Sequence, residues 1–186
     1  MGRLVVSEFV TIDGVFEDPG GGEAFEHGGW AFRFERGEAG DRFKFDELMA
    51  ADAQLLGRVT YEGFAAAWPK MDGDPFGQKM NAMPKYVVSS TLERADWTNT
   101  TILAGDPIES VARIKREVEN DVLVAGSGRL VRSLLAARLI DELRMMVFPV
   151  VLGAGKRLFE SAVPVDFRIV ETIETGECAT LVLRPR

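Results

Sequence analysis

Strand-like and helix-like segments alternate along most of the chain, and this alternation limits the fold more than any other feature. Residues 4–12, LVVSEFVTI, read as a mostly buried strand, apolar and β-branched with few breaks. A helical pattern follows over 41–52, with Phe43, Phe45, Leu48, Met49 and Ala51 on one broad face. AQLLG at 53–57 is a short buried strand, Arg58 to Ala67 is helical again, and KYVVSS at 85–90 is a strand. Asp106-Pro107-Ile108-Glu109 is a strong helix start: an N-cap, a proline suited to the first helical position, and a capping-box glutamate. Val111, Ile114 and Val118 mark the buried face of that helix. DVLVA at 121–125 and a helix over 128–139 make the next pair.

From residue 142 the pattern changes. ELRMMVFPVVL at 142–152 reads as a long strand in which Pro149 marks a bulge or an edge. The remainder reads as two alternating strands around Thr175-Gly176-Glu177, an antiparallel hairpin. The order implies one domain over residues 1–186, a three-layer α/β/α sandwich. Its central sheet is mixed and mostly parallel, closed by the C-terminal antiparallel hairpin. Two stretches break the rhythm. Residues 69–84 hold three prolines and read as irregular, and 17–29 reads as a mobile glycine-rich flap.

Composition narrows the function classes. The chain has 186 residues, 46% hydrophobic and 27% charged, with net charge −7, which disfavours a general nucleic-acid or membrane-surface role. No stretch is long and apolar enough to span a membrane, and the N-terminus lacks a signal-peptide core, so a cytoplasmic location is expected. One cysteine, Cys178, forbids an internal disulfide and reads as an inert strand position. One histidine, His27, nearly excludes a histidine-based metal site, so no metal is expected.

Chemistry is sought where strands meet helices. In VAGSGRL, a strand runs into Gly126-Ser127-Gly128 and a helix begins at once. A helix start leaves backbone N–H groups unpaired and carries partial positive charge, and glycine permits close backbone approach. The pattern fits a pyrophosphate cradle and also a tight turn without ligand. Gly57-Arg58-Val59-Thr60 repeats the strand–glycine–helix sequence, and Ser89-Ser90 ends another strand. In open α/β sheets ligands bind at the carboxyl ends of strands, so all three segments are placed to line one rim.

Taken in order, SEFVTIDG, LLGRVTYE, VVSS, VAGSGRL and DEL followed by PVVLGAG resemble the dihydrofolate-reductase-like family. The closest similarity is to the reductase domain of riboflavin biosynthesis and its stand-alone bacterial relatives. The resemblance runs from about residue 3 to 185. It implies an NADPH cofactor. Gly57, Arg58, Val59 and Thr60 would hold it at one helix, with Ser89 and Ser90 near the adenosine 2′-phosphate. Gly126, Ser127, Gly128, Arg129 and Leu130 would hold the pyrophosphate, and Ile12 and Gly14 would approach the nicotinamide ribose. Arg58 and Arg129 suit a 2′-phosphate through charge-assisted bonds. The family's cis Gly-Gly pair is here Gly126-Ser127, which argues against a cis bond.

Hydride transfer needs a proton donor. Counting back from Gly57, the family's acidic position falls on Asp41, which also reads as a helix N-cap. Asp13, in Ile-Asp-Gly, is the second candidate and equally suits the turn. Glu142 reads as a structural or interface residue. Phe25, Trp30, Phe32 and Phe34 either line a pocket for a flat heterocycle or pack a flap onto this domain or a partner.

The reading is an NADPH-dependent reductase of a small heterocyclic or carbonyl substrate. One alternative is a riboflavin-pathway reductase acting on the ribose carbonyl of an aminopyrimidine, without the zinc deaminase that accompanies it. The other is a non-catalytic nucleotide-binding or regulatory module. Family resemblance also implies a homodimer, formed through strand 145–152 and the C-terminal hairpin.

Overall fold

A computed structural model describes all 186 residues. Eight strands form one sheet in the order β4-β3-β2-β5-β1-β6-β8-β7. The parallel part contains β1 (Arg3–Thr11), β2 (Ala51–Gly57), β3 (Lys85–Val88), β4 (Thr100–Leu103), β5 (Asp121–Val124) and β6 (Glu142–Phe148). The hairpin β7 (Phe167–Thr175) and β8 (Cys178–Pro185) adds an antiparallel edge on β6. Helices α4 (Pro107–Glu117) and α5 (Gly128–Ala136) cover one face, burying Val111, Ile114, Leu130, Val131 and Leu134 against Leu4, Val6 and Val10. Helices α1 (Gly37–Ala50), α2 (Arg58–Ala67) and α3 (Pro75–Ala82) cover the other, with Leu48, Tyr61 and Met80 on Val5, Leu56 and Val87. The three-layer α/β/α architecture and the terminal hairpin agree with the expectation from sequence.

The boundaries differ where local signals compete. The first helix begins at Gly37, not 41, so Asp41 lies inside it and the N-cap position is Arg36, which makes no side-chain capping bond. The irregular stretch contains α3, started by Asp74, whose carboxylate accepts from the Phe76 and Gly77 N–H groups with Pro75 next to it. Four-residue β4 is too short for the sequence pattern to mark it. Pro149 ends the sixth strand at Phe148 rather than bulging within a longer one.

The glycine-rich loop is folded around its own acid. Asp18 is buried and accepts from Gly22 N (2.6 Å), Glu23 N (3.0 Å) and Phe25 N (3.4 Å). Further on, a 3-10 turn over Trp30–Arg33 seats the fully buried Trp30 edge-on against Phe148, 5.2 Å between ring centroids. The segment is therefore a packed flap, and of its aromatics Phe32 is the one left 82% exposed.

Beneath α1 the sheet carries a buried ionic network instead of an apolar face. Arg3 forks Asp121 with two bonds of 2.8 Å. Glu142, 2% exposed, accepts from Arg144 (2.8 Å) and Arg184 (2.9 Å). Arg144 continues to Glu47, which accepts a hydrogen bond from the Ser7 hydroxyl at 2.9 Å and is ion-paired with Lys44. Burial pushes the Glu142 carboxyl up, but the hydrogen bonds from Arg144 and Arg184 outweigh it and hold the group below its ordinary value. Removing one member strands buried charge. Glu142→Ala is expected to cost about 3 kcal/mol in urea unfolding at neutral pH. Because the folded-state value is depressed, that cost is full above the unfolded glutamate value of about 4 and shrinks as pH falls through the folded one.

Candidate functional site

The carboxyl ends of β3, β2, β5 and β1 lie side by side, and each runs into one of the segments singled out from sequence. Register pairs Gly57 with Val88, Leu55 with Val124 and Val6 with Val124. Ser89-Ser90, Gly57 to Thr60, Gly126 to Leu130 and Ile12 to Gly14 therefore form one rim.

Two of these turns interlock. Gly57 is buried, and a Cβ there would collide with the Ser127 side chain. Gly126 has φ +70°, and a Cβ there would collide with the Thr60 side chain. Glycine is thus required because each turn fills the other's space. The result sets the N-termini of α2 and α5 next to each other. Neither N-cap residue, Gly57 or Ser127, supplies a side-chain bond. The first-turn N–H groups of both helices have no intrahelical partner, and the two partial positive charges add. All peptide bonds are trans, including Gly126–Ser127.

Gly128 departs from expectation. The space over its Cα is taken by the Phe16 ring, not left open for a ligand's approach. The requirement for glycine there is internal packing, and Phe16 brings the turn after β1 onto the start of α5.

Side chains around the rim divide into those committed and those available. Arg58 is half-exposed and pairs with Glu62 one turn on, at 2.9 Å. An exposed pair of this kind contributes little, so the guanidinium is readily redirected. Arg129 is exposed in the first turn of α5, as is Val59 in α2, and Ile12 is 62% exposed. Ser89 Oγ accepts from the Leu92 N–H at 2.9 Å and shapes the turn after β3, while Ser90 is exposed. Gly14, at φ +79°, donates its N–H to the Thr11 carbonyl (2.9 Å) in the turn that ends β1.

The two carboxylates proposed as proton donors sit in different surroundings. Asp13 accepts from the Thr11 hydroxyl (2.6 Å) and from Gly153 N (2.9 Å), and pairs with Arg157 (3.5 Å). The Thr11 bond, with help from the Leu152 and Gly153 amides, holds its carboxyl below the ordinary value. Such a group ties the β1 turn to the segment after β6 and, being ionised near neutral pH, has no proton to give. Asp41 lies in the second turn of α1, 64% exposed, with Arg36 at 2.7 Å. It borders a groove of about 390 Å³ that is also lined by Phe9, Phe32, Phe34 and Arg36. The guanidinium of Arg36 and the ammonium of Lys44 lie 5.7 and 5.1 Å from the centre of the Phe9 ring.

Sequence reasoning missed Glu8. Strand alternation puts it in the same row as Leu4, Val6 and Val10, beneath α5. It is 6% exposed, and its Oε1 is buried without a hydrogen-bond partner. Burial pushes its carboxyl up to about 8, against the opposing pull of Lys44 and the Gly126 backbone. An acid at a core position of a period-2 pattern was the signal available in SEFV.

Comparison with known proteins now decides the family. Residues 3–181 match the model of the RibD C-terminal domain. The chain belongs to the RibD C-terminal domain family. It is 30% identical over 163 residues to the uncharacterized protein YyaP of Bacillus subtilis (strain 168), covering 84% of this chain and 80% of that one. Its fold is similar to that of a Shewanella sp. PV-4 protein named for riboflavin biosynthesis (TM-score 0.76, 18% identity, 99% of both chains). It is also similar to Enterococcus faecalis dihydrofolate reductase, solved with NADP(H) (TM-score 0.59, 15% identity, 100% of this chain and 97% of that one). This RibD C-terminal-type domain therefore has the dihydrofolate-reductase-like fold, and its interlocked rim lies on a scaffold shared with reductases.

Two outcomes test the geometry without any ligand. Gly126→Ala, which adds a methyl group at positive φ against Thr60, is expected to destabilise by at least about 1 kcal/mol in urea unfolding. Glu8→Gln is expected to raise the melting temperature, most strongly above pH 8. The folded-state value of Glu8 is raised, so its penalty is absent below the unfolded value and complete once pH passes the folded one. A pH-independent gain would show that Glu8 is not held protonated.

Proposed function

We propose that this chain is an NADPH-dependent reductase acting on a small heterocyclic or carbonyl-bearing substrate. The observation that carries the reading is the meeting of two helix N-termini, neither capped by a side chain, at the carboxyl rim of an open α/β sheet. The donor set fits a dinucleotide: unpaired N–H groups for a pyrophosphate, two exposed arginines for a further phosphate, and a buried acid with a free oxygen beside them.

In this reading the first turns of α5 (Gly128, Arg129, Leu130) and α2 (Arg58, Val59, Thr60) hold the diphosphate, with Gly126, Ser127 and Gly57 setting their approach. Arg58 exchanges Glu62 for the 2′-phosphate, near Ser89 and Ser90. Ile12 and Gly14 flank the nicotinamide side. When bound, the cofactor supplies a hydride. The groove along Phe9, Phe32 and Phe34 takes the flat substrate, and Asp41 at its edge passes to it from solvent the proton that balances the transfer. Asp13 keeps the turn of Ile12 and Gly14 in place. A pyrimidine carrying a ribose carbonyl, the substrate class of riboflavin-type reductases, is one member of the class such a groove would take.

A second copy of the chain fits the other end of the sheet. Strand β7 is an edge strand exposed along most of its length, with Ile169 63% and Val170 45% exposed. Unprotected apolar edges of this kind call for a partner, and a homodimer in sedimentation is the expected state.

Calorimetry is expected to give an NADPH dissociation constant at least about tenfold below that for NADH, a difference that one charge-assisted bond supplies. Arg58→Ala should remove most of this preference while leaving NADH binding nearly unchanged. Equal affinities in the unaltered protein would overturn the 2′-phosphate assignment. Binding without oxidation by any pterin, pyrimidine or carbonyl compound would favour a nucleotide-binding module over a reductase. With a substrate in hand, Asp41→Asn should lower turnover strongly at neutral pH and less in acid, with cofactor affinity unchanged.

A further inference from the structure

The parallel pairing of β1 is asymmetric. On one side it stays joined to β6 as far as Thr11 and Phe148. On the other it parts from β5 after Val6 and Val124, where the chain of β5 turns away into Gly126. A fork opens between β1 and the Gly126 turn, and its first core-facing side chain is Glu8. Its β6 neighbour in register is Met145, which offers no polar contact, and no side chain bonds its Oε1.

A buried polar atom left without a partner is costly, and natural proteins tolerate few of them. The charged groups that act on this carboxyl are Lys44, which bonds Ser7 and Glu47, and Glu47, which bonds Ser7, Lys44 and Arg144. Neither supplies the missing bond. Glu8 thus combines a buried location, an unsatisfied oxygen, and a place beside the Gly126 turn that starts α5.

We propose that Glu8 is a positioning residue that binds the carboxamide of a nicotinamide in the fork, pairing with it as a neutral carboxylic acid. The fit is chemical. A protonated carboxyl has one donor and one acceptor side by side, and a primary amide presents the complementary acceptor and donor. Two hydrogen bonds close a ring between them, and the one to the amide carbonyl needs the acid proton. A carboxylate has acceptors only and loses the bond to the amide carbonyl. Burial keeps the proton on Glu8 at neutral pH. The ring orientation that results would fix which face of the nicotinamide looks toward the groove of Phe9 and Asp41. The inference rests on the reading of the rim as a dinucleotide site, and its test separates the two.

Affinities for NADPH and for 2′-phospho-ADP-ribose, which is the same molecule without nicotinamide, are measured for the unaltered protein, Glu8→Ala and Glu8→Gln. Glu8→Ala should weaken NADPH about tenfold and leave 2′-phospho-ADP-ribose unchanged. Glu8→Gln keeps the side-chain volume and can still pair amide to amide, so it should bind NADPH nearly as the unaltered protein does. It also carries the test if the alanine variant does not fold. Between about pH 7 and 9.5 the unaltered protein should lose NADPH affinity, by up to about tenfold per unit above the ionisation of Glu8, whereas Glu8→Gln should not. If the unaltered protein binds neither compound, the dinucleotide reading fails and this inference with it. If it binds both, but Glu8→Ala weakens the two alike or neither, or if Glu8→Gln keeps the pH dependence, the role of Glu8 alone is overturned.

Discussion

Everything at the rim depends on two strand-to-helix turns that occupy each other's space. Gly57 gives way to Ser127 and Gly126 gives way to Thr60, so β2–α2 and β5–α5 approach more closely than side chains at those positions would allow. This contact fixes the relative position of two helix N-termini. Two adjacent helix N-termini without side-chain caps follow from four small residues in van der Waals contact.

The two sides of β1 have opposite electrostatic characters. Beneath α1, Glu142, Arg144, Glu47, Ser7 and Lys44 form a network in which each buried charge has a partner. Beneath α5, the row of Leu4, Val6 and Val10 is apolar, apart from one acid that lacks a partner on Oε1. Paired charge is the ordinary cost of stability in a sheet of alternating residues. The unpaired acid is the exception, and it stands on the stretch of β1, Ser7 to Thr11, that pairs with β6 and not with β5.

Most of the fold was legible because its signals are local. Period-2 and period-3.6 patterning gave the order of the main elements, and Asp106-Pro107 marked the start of α4 as the structure has it. The same Asp-Pro pair at Asp74-Pro75 went unread because Pro69 and Pro84, flanking it, suggested irregular chain. The start of α1 was misplaced because Arg36 sits at its N-cap without a capping side chain, while Asp41, a good capping type, lies within the helix and pairs back to Arg36. The glycine-rich loop looked mobile because nothing in its sequence says that Asp18 will gather the backbone N–H groups around it.

The sequence by itself determined the layer order, the segments of the rim and the family to which the chain is similar, because patterning, caps and short motifs act over a few residues. Tertiary structure alone decided what each rim residue is for. Gly128 accommodates Phe16 from a distant turn, Asp13 is held by Thr11 and the segment after β6, and Glu8 acquires its meaning only when β5 leaves β1 and Gly126 arrives beside it. A side chain's protonation and spare hydrogen bonds depend on which distant groups exclude water from it and which fail to pair with it. Those groups are neighbours in the fold and not in the chain.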